Sequence, residues 1–243
     1  MDLGLEGRTA VVTGASRGIG RAIAEAMVEA GADVVGLGRR WDLGLARVNF
    51  RTLTADLRDD AQLRAAVGEA GALLGRFDIL VNAAGVTDRT VDSNVTAQMW
   101  DDVFAVNVRA PFLLSQLVAA RMLAGEGGGV ILNLASLAAQ TVTGAPTVYA
   151  SSKAAVVQMT RVLAVRWAPA IRVNAIGPGY VRTDLNSTWL GQPGNERYVL
   201  EHTPLKRLGQ VGDIASAAVF LVSPAASFIT GQHVLVDGGW STQ

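Results

Sequence analysis

The sequence predicts a Rossmann-like α/β domain: a doubly wound parallel sheet of about seven strands with helices on both faces. Two observations carry that expectation. Short apolar runs alternate with longer segments whose apolar residues recur at spacings of three and four, and the first run passes straight into a glycine-rich turn. Most of the short runs are apolar at consecutive positions, which strands buried on both faces require; a strand with one wet face would alternate.

The first strand is TAVVT at 9–13, followed by the turn TGASRGIG at 13–20 and the helical IGRAIAEAMVEAG, which ends on a glycine. DVVGL at 33–37 and FRTLTA at 50–55 read as the second and third strands. Between Arg40 and Phe50 there is room for only a helical turn or two, so a full crossover helix is not expected there. AQLRAAVGEAGALLG then forms a helix before DILVN at 78–82, and VRAPFLLSQLVAARMLAG another before GVILNLA at 129–135. VYASSKAAVVQMTRVLAVRWA precedes the strand IRVNAI at 171–176, and VGDIASAAVFLVS precedes HVLVD at 233–237. Repeated strand–helix–strand units give parallel neighbours joined by right-handed crossovers. No repeat, low-complexity tract or linker interrupts the pattern, so residues 1–243 are expected to form one domain.

Composition narrows the function. Half of the residues are hydrophobic and 27 are glycine, as in a compact chain with many tight turns. The 21 basic and 21 acidic residues cancel, and no basic run offers a footing for nucleic acid. The absence of cysteine excludes disulfides, thiolate metal sites and a cysteine nucleophile. His202 and His233 lack metal-site spacing and are expected to be structural or exposed, so no metal is expected. MDLGLEGRTA lacks the basic and apolar regions of a secretory signal. Residues 127–152 are uncharged, but Gly, Pro, Asn and Gln break any continuous apolar run. A soluble, cytoplasmic protein with no membrane partner is expected.

Two stretches carry chemistry. In TGASRGIG, Gly14 permits a tight turn, while Gly18 and Gly20 let backbone and helix approach a pyrophosphate held at the helix N-terminus. The spacing is Gly-x-x-x-Gly-x-Gly rather than the usual dinucleotide fingerprint. In VYASSKAA, Tyr149 and Lys153 stand four apart, so on a helix a phenol and an ammonium are neighbours. An ordinary surface helix with a lysine stem over an aromatic ring would show the same pair.

The glycine loop, NAAG at 82–85, Asn107, Ser136, Tyr149-x-x-x-Lys153 and PG at 178–179 occur in that order. In this set the chain resembles the short-chain dehydrogenase/reductase superfamily, in its single-domain branch, over essentially its whole length. LTADLRD, VNAIGPGY and VDGGW are similar to bacterial members acting on sugar acids, such as 2-deoxygluconate and gluconate dehydrogenases, and to 3-oxoacyl reductases. The resemblance implies hydride transfer between a nicotinamide and a secondary alcohol or ketone, with a sugar or sugar acid as the small-molecule substrate. Tyr149 would pass the proton, Ser136 would hold the substrate oxygen, and Asn107 would order a water linking Lys153 to solvent. A cation about 4 Å from the phenol favours phenolate by roughly 4 kcal/mol at an effective dielectric near 20, so Lys153 is expected to lower the pKa of Tyr149. Reduction of a 3-oxoacyl thioester is the alternative reaction. The non-enzyme alternative is a regulatory protein that binds a dinucleotide, which the intact Tyr149, Lys153 and Ser136 disfavour.

The resemblance also implies the cofactor contacts. Gly14, Ser16, Arg17, Gly18, Ile19 and Gly20 would surround the pyrophosphate. Asp56, with Leu57 beside it, would accept from the adenine amino group, although Asp56 could instead cap the helix after it. Asn82, Ala83 and Gly85 would flank the adenine ribose, with Ala83 replacing the family's commoner second asparagine. Lys153 would bond the nicotinamide ribose, and Pro178, Gly179, Val181 and Thr183 would hold the nicotinamide end. Gly38 occupies the position where NAD-preferring relatives carry an acid, and Arg39 and Arg40 follow, with Arg17 expected nearby. This favours NADP, with NAD as the alternative, unless Asp42 takes the acidic role. Residues 184–204 are polar and broken by Gly and Pro, and are expected to form a mobile lid over the substrate. Trp189, His202 and Arg89 are left open between substrate contact and packing or solvation. The family's interface helices, apolar here, imply a homotetramer.

Overall fold

The computed structural model describes residues 3–41, 48–87, 94–125 and 127–242. Seven strands form one parallel sheet: β1 (Thr9–Thr13), β2 (Asp33–Gly38), β3 (Phe50–Thr54), β4 (Ile79–Asn82), β5 (Gly129–Leu134), β6 (Ile171–Pro178) and β7 (His233–Val236). Their spatial order is β3-β2-β1-β4-β5-β6-β7. The chain therefore winds outward from β1 in one direction and, after β3, returns to build outward from β4 in the other. Between β1 and β4 lies the switch point where such sheets open a crevice at the strands' C-terminal ends.

Burial follows the apolar runs. Every residue of β1 and β4 is buried. On one face α1 (Gly18–Glu29) packs against α8 (Val211–Val222), with Ile23, Met27, Ile214 and Ala218 fully buried beneath them. On the other face α2 (Asp60–Leu74), α4 (Ala110–Ala124) and α5 (Thr147–Trp167) cover Val11, Leu80, Ile131 and Val173. The helix N-termini have named caps. Asp59 accepts from Ala61 N at 2.9 Å and Gln62 N at 3.2 Å, so α2 is capped by Asp59 and not by Asp56. Gln210 and Asp213 form a capping box at α8.

At the opposite edge of the sheet from the crevice, Asp78 is buried. It accepts from Thr9 N at 2.9 Å and Thr9 Oγ1 at 3.1 Å, and pairs with Arg8 at 3.2 Å and with Arg76. Burial alone would raise its pKa, but these donors and cations outweigh it and hold the carboxyl below its ordinary value.

Three helices depart from the sequence reading. α3 (Ala97–Phe104) precedes α4 and is capped by Thr96. α6 (Ser187–Leu190) and α7 (Asn195–His202) occupy the expected lid. The two short helices are anchored by Leu190 and Val199 against Leu137 and Trp240. Residues 127–152 are a strand, a 3-10 turn, a loop and the start of α5, consistent with their broken apolar pattern. The shortened β2–β3 link covers 39–49; Asp42 lies in it, outside the described residues, as does Arg89 elsewhere in the chain.

Candidate active site

The crevice at the switch point is a cleft of about 1040 Å³. Its floor is set by close backbone packing. Gly14 has φ +68°, and a Cβ there would lie 2.8 Å from Ala84 Cα and 2.9 Å from Ala84 N. A Cβ on Gly20 would collide with the Gly14 carbonyl, so the helix can start this close to β1 only with glycine at both positions. Gly18, at φ +58°, faces open space with Thr183 Cγ2 no nearer than 3.8 Å. Helix α1 opens onto the cleft without an acidic residue in its first turn and without a side-chain cap from Arg17. Its orphan N–H groups and dipole thus face the cleft, which suits an anion such as a pyrophosphate.

Gly14, Ser16, Arg17, Gly18, Ile19 and Gly20 line the cleft, as do Arg39, Arg40, Asp56 and Leu57 at one end. Ala83, Gly85, Pro178, Gly179, Val181 and Thr183 line its middle. Asn82 does not. Its side chain is buried beneath the wall, donating to Ser115 Oγ at 3.1 Å and Asn133 Oδ1 at 2.9 Å, because its position in β4 turns it towards α4. Asp56 does line the cleft, but Arg58 grips its carboxylate through Nε at 3.1 and 3.2 Å and Nη2 at 2.6 Å. That pairing, with Arg58's backbone N–H and the nearby Arg39, lowers its pKa to about 2. The exposed Arg17 guanidinium stands 3.6 Å from the exposed Asp184 carboxylate.

At the other end Ser136, Tyr149 and Lys153 converge. Ser136 follows β5 and caps a 3-10 turn by accepting from Ala138 N at 3.1 Å, which fixes its rotamer. Tyr149 sits in the first turn of α5 and is hydrogen-bonded to Ser136. One turn on, Lys153 Nζ lies 5.7 Å from the Tyr149 ring centre and donates to Leu134 O at 2.7 Å. The pKa of Tyr149 is raised, not lowered: burial dominates and the Ser136 hydrogen bond only partly offsets it. Burial likewise lowers Lys153 to about 8. The downward pull expected from Lys153 is absent here because its amine sits over the ring face at the Leu134 carbonyl, itself penalised for carrying charge.

Asn107 is buried and does not border the cleft. It lies in a π turn, Ala105–Arg109, just before α4. Pro111 has no N–H for the Asn107 carbonyl four residues back, and its ring crowds that carbonyl, which accounts for the irregular turn. The Asn107 amide accepts from Val86 N and donates to Val86 O and Ser152 Oγ, each at 2.9 Å. Ser152 Oγ in turn donates to Tyr149 O at 2.7 Å. Both amide hydrogens are committed, so this side chain ties the loop after β4 to the first turn of α5.

Thr143, Gly144 and Tyr180 line the cleft and escaped the sequence reading. Tyr180 stacks on Trp189 at 5.6 Å between ring centres, and both line the cleft. Thr143 and Gly144 hydrogen-bond the Tyr180 phenol, tying the loop after β5 to the segment after β6. The signal was its place directly after Pro178-Gly179. Trp41, after Arg39 and Arg40, packs edge-on to Phe50 and lies 3.2 Å from where a Gly38 Cβ would be. His202 stays outside the cleft, against Tyr198 and Trp240. His233 Nδ1 sits 3.0 Å from Gln140 Oε1, also outside it. Among the described residues no cluster of His, Cys, Asp and Glu could hold a metal.

A glycine turn at the switch point of a parallel sheet, opening towards a Ser–Tyr–Lys cluster, is the frame of a nicotinamide-nucleotide oxidoreductase. Residues 14–241 match the family model described as enoyl-(acyl carrier protein) reductase, and the chain belongs to the short-chain dehydrogenase/reductase family. It is 39% identical to an NAD-dependent glycerol dehydrogenase of Listeria innocua, covering 99% of this chain and 96% of the relative. It is 36% identical to a 2-dehydro-3-deoxy-D-gluconate 5-dehydrogenase of Dickeya dadantii, covering 97% and 96%. A gluconate 5-dehydrogenase from Burkholderia cenocepacia, solved with NADP and tartrate, superposes with TM-score 0.94 at 34% identity, covering 100% of this chain and 98% of that one.

The Lys153 environment makes a pH prediction. Its pKa is about 8 in the folded chain against an ordinary 10.5. The unfolded chain therefore binds more protons between those values, and stability rises with pH across that window. Denaturant titrations at pH 8 and 10 should show wild type gaining about 2 kcal/mol relative to Lys153→Met. A pH-independent difference would place the amine in water.

Proposed function

We propose that this protein is an NADP-dependent dehydrogenase/reductase, with NAD as the alternative cofactor, acting on a secondary alcohol or ketone of a sugar-like substrate. The observation that carries this is the Ser136–Tyr149–Lys153 convergence at the far end of a cleft that begins at a helix N-terminus. The 3-oxoacyl and regulatory alternatives gain no comparable support. When bound, the nicotinamide supplies or accepts the hydride. Ser136 and Tyr149 hold the substrate oxygen, and Tyr149 gives or takes its proton. Lys153, one turn away, donates to the cofactor ribose and supplies positive charge next to the phenol. Its lowered pKa of about 8 fits a group that shares protons near neutrality. Asn107 keeps the first turn of α5 in place through Ser152. Its carbonyl, whose helical donor would be Pro111, is the atom on which a relay water would bond. Tyr149→Phe should retain cofactor binding, measured by fluorescence titration, and lose at least 1,000-fold in kcat; Lys153→Ala should lose both. A Tyr149→Phe enzyme keeping a tenth of wild-type kcat would remove Tyr149 from the role of acid/base.

The cofactor preference rests on the ribose end. Arg39 and Arg40 are exposed at the cleft rim, next to a glycine where an acid would repel a 2′-phosphate. Arg58 is committed to Asp56 and Arg17 to Asp184, so Arg39 is the cation placed closest to Asp56 that remains for the phosphate. Asp56 itself, held by Arg58, keeps an acceptor edge for the adenine amino group. Arg39→Ala should lower kcat/KM for NADP at least tenfold and leave NAD within about threefold. A wild type that prefers NAD would reverse the assignment.

The reading includes a cytoplasmic homotetramer. Phe112, Leu123, Val162 and Val165 on α4 and α5, Phe220 on α8 and Phe228 after it are large apolar residues left exposed in one chain. Sedimentation at micromolar concentration should give about four times the 25.4 kDa chain mass; a 25.4 kDa species alone would exclude the tetramer.

A further inference from the structure

We propose that the substrate end of this cleft takes a neutral polyol or ketose rather than a sugar acid, seated against the stacked Tyr180–Trp189 pair. The inference rests on the oxidoreductase reading above and deepens it.

Charge is the first argument. Among the described residues lining the cleft, the cations are Arg17, Arg39, Arg40 and Lys153. Arg39 and Arg40 follow β2 and belong to the ribose end. Arg17 is in the glycine loop, at the pyrophosphate end, and its exposed guanidinium stands 3.6 Å from the exposed Asp184 carboxylate. Lys153 is buried and committed to the Leu134 carbonyl, at the reacting oxygen. Among the described residues, no guanidinium, imidazole or second ammonium stands beside Thr143, Gly144, Ala145, Tyr180, Asn186 and Trp189. Among them a carboxylate stripped of water would meet only neutral partners, and desolvating an unpaired charge is costly. The charged lid residue that does border the cleft, Asp184, has the same sign as a sugar acid.

The neutral groups are the second argument. Tyr180 and Trp189 stack with an interplanar angle of 20°, and Tyr180 also packs on Trp240 at 4.8 Å. Such a supported aromatic wall offers an apolar face to the C–H side of a polyol, with polar groups at its edge for the hydroxyls. Thr143 and Gly144 hydrogen-bond the Tyr180 phenol and hold it at the cleft wall. Thr143 Oγ1 is fixed in turn by Ala145 N at 3.2 Å. The Asn186 amide accepts from Thr183 N at 3.0 Å and donates to Val181 O at 2.7 Å, so it is held as part of the wall and carries no charge to pair with an anion.

The test compares matched pairs. With the preferred cofactor saturating, xylitol and galactitol should give kcat/KM at least tenfold above gluconate and galactonate. Tryptophan fluorescence of the cofactor complex should titrate with the polyols and stay unchanged with gluconate at equal concentration. Tyr180→Phe should lower the ratio of kcat/KM for polyols to kcat/KM for 2-butanol at least tenfold. Aldonates turned over as well as polyols, or an unaltered polyol preference in Tyr180→Phe, would overturn the proposal while leaving the oxidoreductase reading intact. No turnover of any alcohol or ketone, 2-butanol included, would overturn that reading and this proposal with it.

Discussion

Everything in this molecule depends on how closely two strands approach at the centre of the sheet. β1 and β4 are hydrogen-bonded neighbours, yet the segments leaving them depart on opposite faces, and the crevice opens between those departures. Gly14 is in contact with the backbone of Ala84, and Gly20 with the carbonyl of Gly14. No side chain fits at either point. The helix dipole, the cleft and the distance from glycine loop to Tyr149 all inherit that spacing, so a methyl group here would displace the binding surface as well as strain a turn.

A second constraint organises the reacting end. The catalytic turn of α5 would be free to shift if it were held only by its own helix. It is held instead by a chain of hydrogen bonds running from Val86 through Asn107 and Ser152 to the Tyr149 carbonyl. That chain joins the loop after β4, the irregular turn before α4 and the start of α5. Tyr149 and Lys153 are then kept in a dry environment that resists charge on both, raising one pKa and lowering the other.

The sheet was legible because buried parallel strands leave a distinctive mark. Runs such as TAVVT and DILVN are apolar at successive positions, and each became a strand within a residue or so of its expected bounds. The glycine loop, Ser136, Tyr149 and Lys153 were legible for a similar reason, since each depends on its local setting in a turn or on one helix face. α6 and α7 were not, because four- and eight-residue polar segments broken by Gly and Pro carry no amphipathic period. Their order comes from docking Leu190 and Val199 on Trp240, a contact between distant parts of the chain.

The sequence by itself determined the doubly wound class, the family and the residues able to transfer a proton, because these are written in periodicity and in spacings of a few residues. Tertiary structure alone decided which charges remain available. One Lys153 hydrogen goes to the Leu134 carbonyl and the Asn82 amide goes to Ser115 and Asn133, through contacts that no local pattern records. It likewise placed Tyr180 and Trp189 face to face, so that a tyrosine following a turn and a tryptophan in a polar lid became one wall. A side chain's type sets what it could do; its folded neighbours set what is left for a ligand, because a charge or hydrogen bond already satisfied is not offered twice.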